Sequence, residues 1–127
     1  LFSVIINGKV FEMKKEYINA TKEFAKLALN SSESAVVIQN AHKAVEFALS
    51  VYAIEKRLAL PRDHWQSKDL AYKISTEFGK NFAELLRMYL GAYRLENGKN
   101  AKKAKELMTK MLKELEIYVR QTFLTDK

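Results

Sequence analysis

Cysteine is absent from these 127 residues, so no disulfide and no thiolate metal site can form. Proline occurs once, as Pro61, and glycine only four times. A sheet protein of this length needs far more turn punctuation, so long uninterrupted helices are expected instead. The longest wholly apolar stretch near the start is Val4-Ile5-Ile6, well short of the roughly 20 residues that cross a bilayer. The start also lacks the basic residues and long apolar segment of a secretory leader. The expectation is a soluble, cytoplasmic protein that makes no membrane contact. There is no glycine-rich phosphate loop, no paired-histidine zinc helix and no calcium loop, and histidine occurs only twice. Composition and motifs therefore suggest neither a metal nor a cofactor.

What the chain has in quantity is apolar residues at 48% and charged residues at 29%, the balance of a folded domain. Its length suits one domain. Lys and Arg number 22 against 15 Asp and Glu, a formal net charge of +7. An excess of this kind favours acidic partners, nucleic acid or a nucleotide first among them. It also suits a surface rich in solvated ion pairs.

Periodicity supplies the architecture. Residues 1–9 read as an irregular segment with an Asn7-Gly8 turn. From Val10, the residues Met13, Tyr17, Ala20, Phe24 and Leu27 recur at three and four, as on one helical face. Asn30 ends this helix and, with Glu33 three residues on, can cap the next. The second helix, about Ser31 to Leu60 and roughly 40 Å long, bears two apolar stripes and a narrow polar strip of Gln39, Lys43, Glu46 and Ser50. Apolar on so much of its circumference, it should be the central helix. Pro61 stops it, and Ser67 is the expected N-cap of a third helix ending at Gly79. A fourth helix aligns Phe82, Leu86, Tyr89 and Tyr93, and a fifth from near Asn100 aligns Ala104, Met108, Met111, Leu115, Tyr118 and Thr122. The fold expected is all-α, an antiparallel four- to five-helix bundle. Met88 and Leu95, off the Phe82 row, suggest a further apolar face and hence a homodimer.

Three places carry possible chemistry. His42 and Glu46 share a helical face at i, i+4, which can tune a base or help hold a metal, but the sequence marks no further ligand. Around Pro61 the chain gathers Arg57, Arg62, Asp63, His64 and Trp65, a set able to bind phosphate or stack on a base. Lys99, Lys102, Lys103 and Lys105 crowd the first turns of the last helix. Cations there oppose the helix dipole at a cost of about 0.3–1 kcal/mol each, which suits them to an anionic ligand such as a nucleic-acid phosphate.

The stretch Ala41-His42-Lys43-Ala44-Val45-Glu46-Phe47-Ala48-Leu49 resembles a helix of the HEPN superfamily (higher eukaryotes and prokaryotes nucleotide-binding). Leu60-Pro61, Trp65, Leu70 and the segment Leu86 to Glu96 are similar to the archaeal PaREP family within that group. The resemblance spans roughly Val10 to Phe123. It implies a four- or five-helix bundle, often dimeric, with a role in nucleotide or RNA biology and a nucleotidyltransferase as a possible partner protein. HEPN ribonucleases carry an arginine, four to six residues and a histidine late in the chain. Arg94 lies in that region with no histidine after it, whereas Arg57 and His64 have six residues between them. The function expected is a non-catalytic HEPN-like module binding nucleic acid or nucleotide, with Arg62, Trp65, Lys99, Lys102 and Lys103 as its contacts. The alternative is a metal-independent ribonuclease using Arg57 and His64.

Overall fold

The computed structural model describes residues 2–91 and 98–124, with side chains from Lys9 onward and, in the second stretch, from Asn100 onward. Five helices account for most of these residues: α1 (Phe2–Asn30), α2 (Ser34–Glu55), α3 (His64–Ile74), α4 (Thr76–Leu90) and α5 (Gly98–Val119). No strand occurs among the described residues. None of the described helices is long and apolar enough to cross a membrane.

Helix α2 is the hub, packed against all four others and most extensively against α1 and α5. Its fully buried residues include Val37, Ile38, Ala41, Ala44, Val45, Ala48 and Leu49, which cover most of its circumference, as the two stripes predicted. Only residues 31–33 separate α1 from α2, a connection short enough to make them antiparallel neighbours. Phe78, Phe82 and Leu85 of α4 and Met108, Met111, Leu112 and Leu115 of α5 complete the core without exposure. Met88 is buried in that same core, so it offers no face to a second copy; Tyr93, Arg94 and Leu95 lie outside the described residues.

Several local readings are corrected. Residues 2–9 continue α1 instead of forming an irregular turn. Asparagine and glycine within a helix cost no more than about 1 kcal/mol each, too little to break one when no second strand can pair. The buried stripe of α1 is Ile18, Thr21, Ala25 and Ala28, while Leu27 is exposed. Small residues on the contact line let α1 lie close to α2, and the larger Tyr17 and Phe24 are pushed to the edge of the contact, half-buried. Glu33, not Asn30, occupies the N-cap of α2, in extended conformation.

Helix α2 also ends earlier than Leu60. Arg57 takes a left-handed φ of 58°, with Arg57 N donating to Ile54 O at 3.1 Å and Leu58 N to Ala53 O at 2.8 Å. This is a Schellman stop built without the usual glycine. It turns the chain back before Pro61 is reached.

Ser75, not Gly79, separates α3 from α4. Its backbone N–H bonds Ala71 O, and its hydroxyl accepts from Phe78 N at 3.0 Å, so one residue closes one helix and caps the next. Gly79 lies inside α4 because the Tyr72 ring sits over it, and a Cβ there would be 2.3 Å from that ring. Gly79→Ala is therefore expected to destabilise the fold by about 1–3 kcal/mol, despite alanine's advantage of about 1 kcal/mol within a helix. In a Tyr72→Ala background the same change should instead stabilise. Urea denaturation of the four proteins checks this; a loss that persists without the ring would place the constraint elsewhere.

Candidate functional site

The site begins as a helical spacing. His42 and Glu46 lie one turn apart on α2, and this turn faces the start of α3. His64, the first residue of α3, arrives there through local chemistry: the Asp63 side chain accepts from Gln66 N at 2.8 Å. The Gln66 side chain in turn accepts from Arg62 N at 2.7 Å. The two bonds fix the first turn and the direction of entry, as a capping box does. Ser67, the expected cap, is instead buried within the helix.

The result is a three-residue cluster. His64 Nδ1 donates to Glu46 Oε2 at 2.6 Å, and His42 Nε2 lies 3.3 Å from the same oxygen. The two imidazole nitrogens are 3.3 Å apart. His42 is fully buried, and its Nδ1 has no hydrogen-bond partner among the described residues. Tyr89 of α4 holds both rings, stacked on His42 at 4.4 Å between centroids and edge-on to His64 at 5.2 Å. Phe82 backs His42 at 5.4 Å. Burial pushes the Glu46 carboxyl up, but hydrogen bonds and charge interactions with His42 and His64 outweigh it and hold the group below its ordinary value.

The cluster opens onto a cleft of about 580 Å³, within the range of small-ligand pockets. Tyr17 and Phe24 of α1 and Phe47 of α2 line one side, Phe24 and Phe47 stacked with centroids 5.5 Å apart. Lys43, Arg62 and Ser67 line it as well. The Lys43 ammonium lies 5.5 Å from the centre of the Phe24 ring. Arg62 is exposed and makes no ion pair among the described residues.

The residues expected around Pro61 are thus divided among different surfaces. Arg62 and His64 share the cleft. Arg57 lines a separate groove with Val10, Phe11, Met13 and Leu58. Trp65 is exposed and faces Ala83, Leu86 and Leu90 of α4, with Lys68 near its ring. The lysines of α5 are partly engaged: Lys103 pairs with Glu84 at 2.7 Å, and Lys105 donates to Leu29 O at 3.3 Å. The latter sets a cation at the C-terminal end of α1, where the dipole favours it. Lys102 is exposed, and the side chain of Lys99 lies outside the described residues.

The sequence puts His42 and Glu46 on one helical face, but no local pattern in it marks His64 as the third member or Tyr89 as the clamp. Asp63 three residues before Gln66 was the available signal for a helix starting at His64. Nothing in the sequence places Tyr89 beside two rings that lie 47 and 25 positions earlier in the chain. Comparison with protein-family models, curated proteins and solved structures returns no match.

Proposed function

We propose that the cleft binds a nucleotide, free or as part of a single-stranded nucleic acid, and that the chain is a non-catalytic HEPN-like interaction module working in the cytoplasm. The observation that carries this reading is an aromatic wall beside two cations, Lys43 and Arg62, in one opening; neither makes an ion pair among the described residues, and the carboxylates of Glu46 and Asp63 line the opening with them. Bases stack on such walls whatever their identity, and phosphates pair with guanidinium and ammonium groups. The stretch that resembles the HEPN helix supplies His42, Lys43, Glu46 and Phe47 to the cluster and its cleft. A second copy of the chain and a nucleotidyltransferase are the protein partners the resemblance suggests.

Titration with AMP and with a short single-stranded RNA, in EDTA, tests the reading. Arg62→Gln and Lys43→Gln should each weaken binding about tenfold, or roughly 1.4 kcal/mol. Each should also flatten the dependence of log affinity on log salt for RNA by about 0.7. Replacing Lys99, Lys102 and Lys103 together with glutamine separates a second phosphate track, which flattens the slope further, from a solvated face, which leaves it unchanged. Arg57→Gly relieves the left-handed backbone at the end of α2 and should leave affinity intact. Binding unaffected by both cleft substitutions would sink the proposal. Labelled RNA cut in EDTA by the wild type, but not by His64→Ala, would favour the ribonuclease alternative.

A further inference from the structure

We propose that His42, Glu46 and His64 form a binding site for a divalent transition-metal ion of the zinc type, with a coordination position open to the cleft. This goes beyond the nucleotide reading and does not depend on it. The ligand atoms are His42 Nε2, His64 Nδ1 and Glu46 Oε2, all mutually within reach of one ion. Tetrahedral zinc holds nitrogen at about 2.0–2.1 Å and oxygen at about 2.0–2.2 Å, which sets its ligands roughly 3.3–3.5 Å apart. Two of the three separations are 3.3 Å already. The third, between His64 and Glu46, is a 2.6 Å hydrogen bond. It must open by about 0.7 Å for a tetrahedral ion. His64 can provide that movement, because its side chain is 36% exposed at the first position of its helix.

The arrangement of these three groups is itself crowded. Two imidazole nitrogens converge on one carboxylate oxygen and face each other at 3.3 Å. Protons on both nitrogens would bring two N–H groups onto the same acceptor. One divalent cation replaces them with three bonds. Imidazoles favour zinc and its late first-row neighbours over magnesium or calcium, which prefer oxygen donors alone. His42 is the preorganised member, buried and stacked against Tyr89, so its ring orientation is set before any ion arrives. Its other nitrogen has no acceptor to lean on. Sites lacking that outer partner bind about 10–100-fold more weakly than those possessing it, so moderate affinity is expected. Three protein ligands leave one position for water or for an oxygen of a ligand in the cleft.

Calorimetric titration of metal-free protein with zinc chloride, without nucleotide, should show one ion per chain. Cobalt(II) should give the intense visible bands of a four-coordinate site. His64→Ala and Glu46→Gln, each confirmed as folded by circular dichroism, should lose at least tenfold in affinity. The wild type offers an independent readout, because the chain has only two histidines. In nitrogen-15 spectra zinc should shift both imidazoles together, at Nε2 of His42 and Nδ1 of His64. Absence of one-to-one binding, equal binding by both variants, or zinc shifts at fewer than two histidines would overturn the site. Nucleotide binding measured in EDTA is a separate experiment, so either proposal can fail alone.

Discussion

Phe82→Ala is expected to remove about 3–5 kcal/mol of stability. That is a large share of the 5–15 kcal/mol available to a typical domain. Phe82 is fully buried, between the α2 hub and the remainder of α4, and its ring backs that of His42. Alanine would leave a cavity among close-packed rings that cannot collapse onto it. Phe82→Leu retains most of the volume and should cost no more than about 1.5 kcal/mol. The alanine variant should also loosen the clamp, since Tyr89 is carried by the same helix two turns on, stacks on the same His42 ring and meets His64 edge-on. Urea unfolding gives the stability change directly. A loss below about 1 kcal/mol would mean that α4 is not anchored on α2 as described.

Glu46→Gln should cost about 2–3 kcal/mol near neutral pH in the presence of EDTA, because a carboxylate accepting charge-assisted hydrogen bonds is replaced by a neutral amide. The effect should depend on pH in a definite direction. The folded-state carboxyl is held below its ordinary value, chiefly by His42 and His64 working against the cost of burial. A depressed carboxyl stabilises the fold fully above its unfolded value, near 4.3. That contribution disappears as pH falls through the lower folded value. The gap between wild type and Glu46→Gln should therefore be widest at neutral pH and shrink below about pH 4. Unfolding curves from pH 3 to 7 would measure it. A gap that stayed constant with pH would show that the anionic form contributes nothing.

Both expectations rest on elements of unequal visibility in the sequence. The apolar repeats of α2, α4 and α5 survive in the fold because helical periodicity is local: residues three and four apart share a face wherever the helix goes. The α1 stripe was displaced by a position because periodicity alone does not weigh side-chain size. Ala25 and Ala28 take the contact line and Leu27 is left outside. Glu46 and Ser50 belong to the narrow polar strip of α2, and in the fold Ser50 is buried and both line the cleft. Polarity marks a face that water or a polar partner must satisfy, without saying which.

What the sequence determined by itself was the class of fold, the central helix, the positive balance and the His42–Glu46 pair. Each follows from composition or from spacing within one helix. Tertiary structure alone decided that His64 joins that pair, that Tyr89 clamps both rings, and that Arg62 rather than Arg57 shares their cleft. His64 reaches Glu46 only because the chain stops at the left-handed Arg57, reverses before Pro61 and restarts under the Asp63 cap. Tyr89 arrives only because Ser75 bends α3 into α4. These are directions of chain travel set by a few backbone torsions and hydrogen bonds. Small angular changes there move a side chain by ångströms at the far end of a helix, so residues distant in sequence meet through geometry that no local pattern encodes.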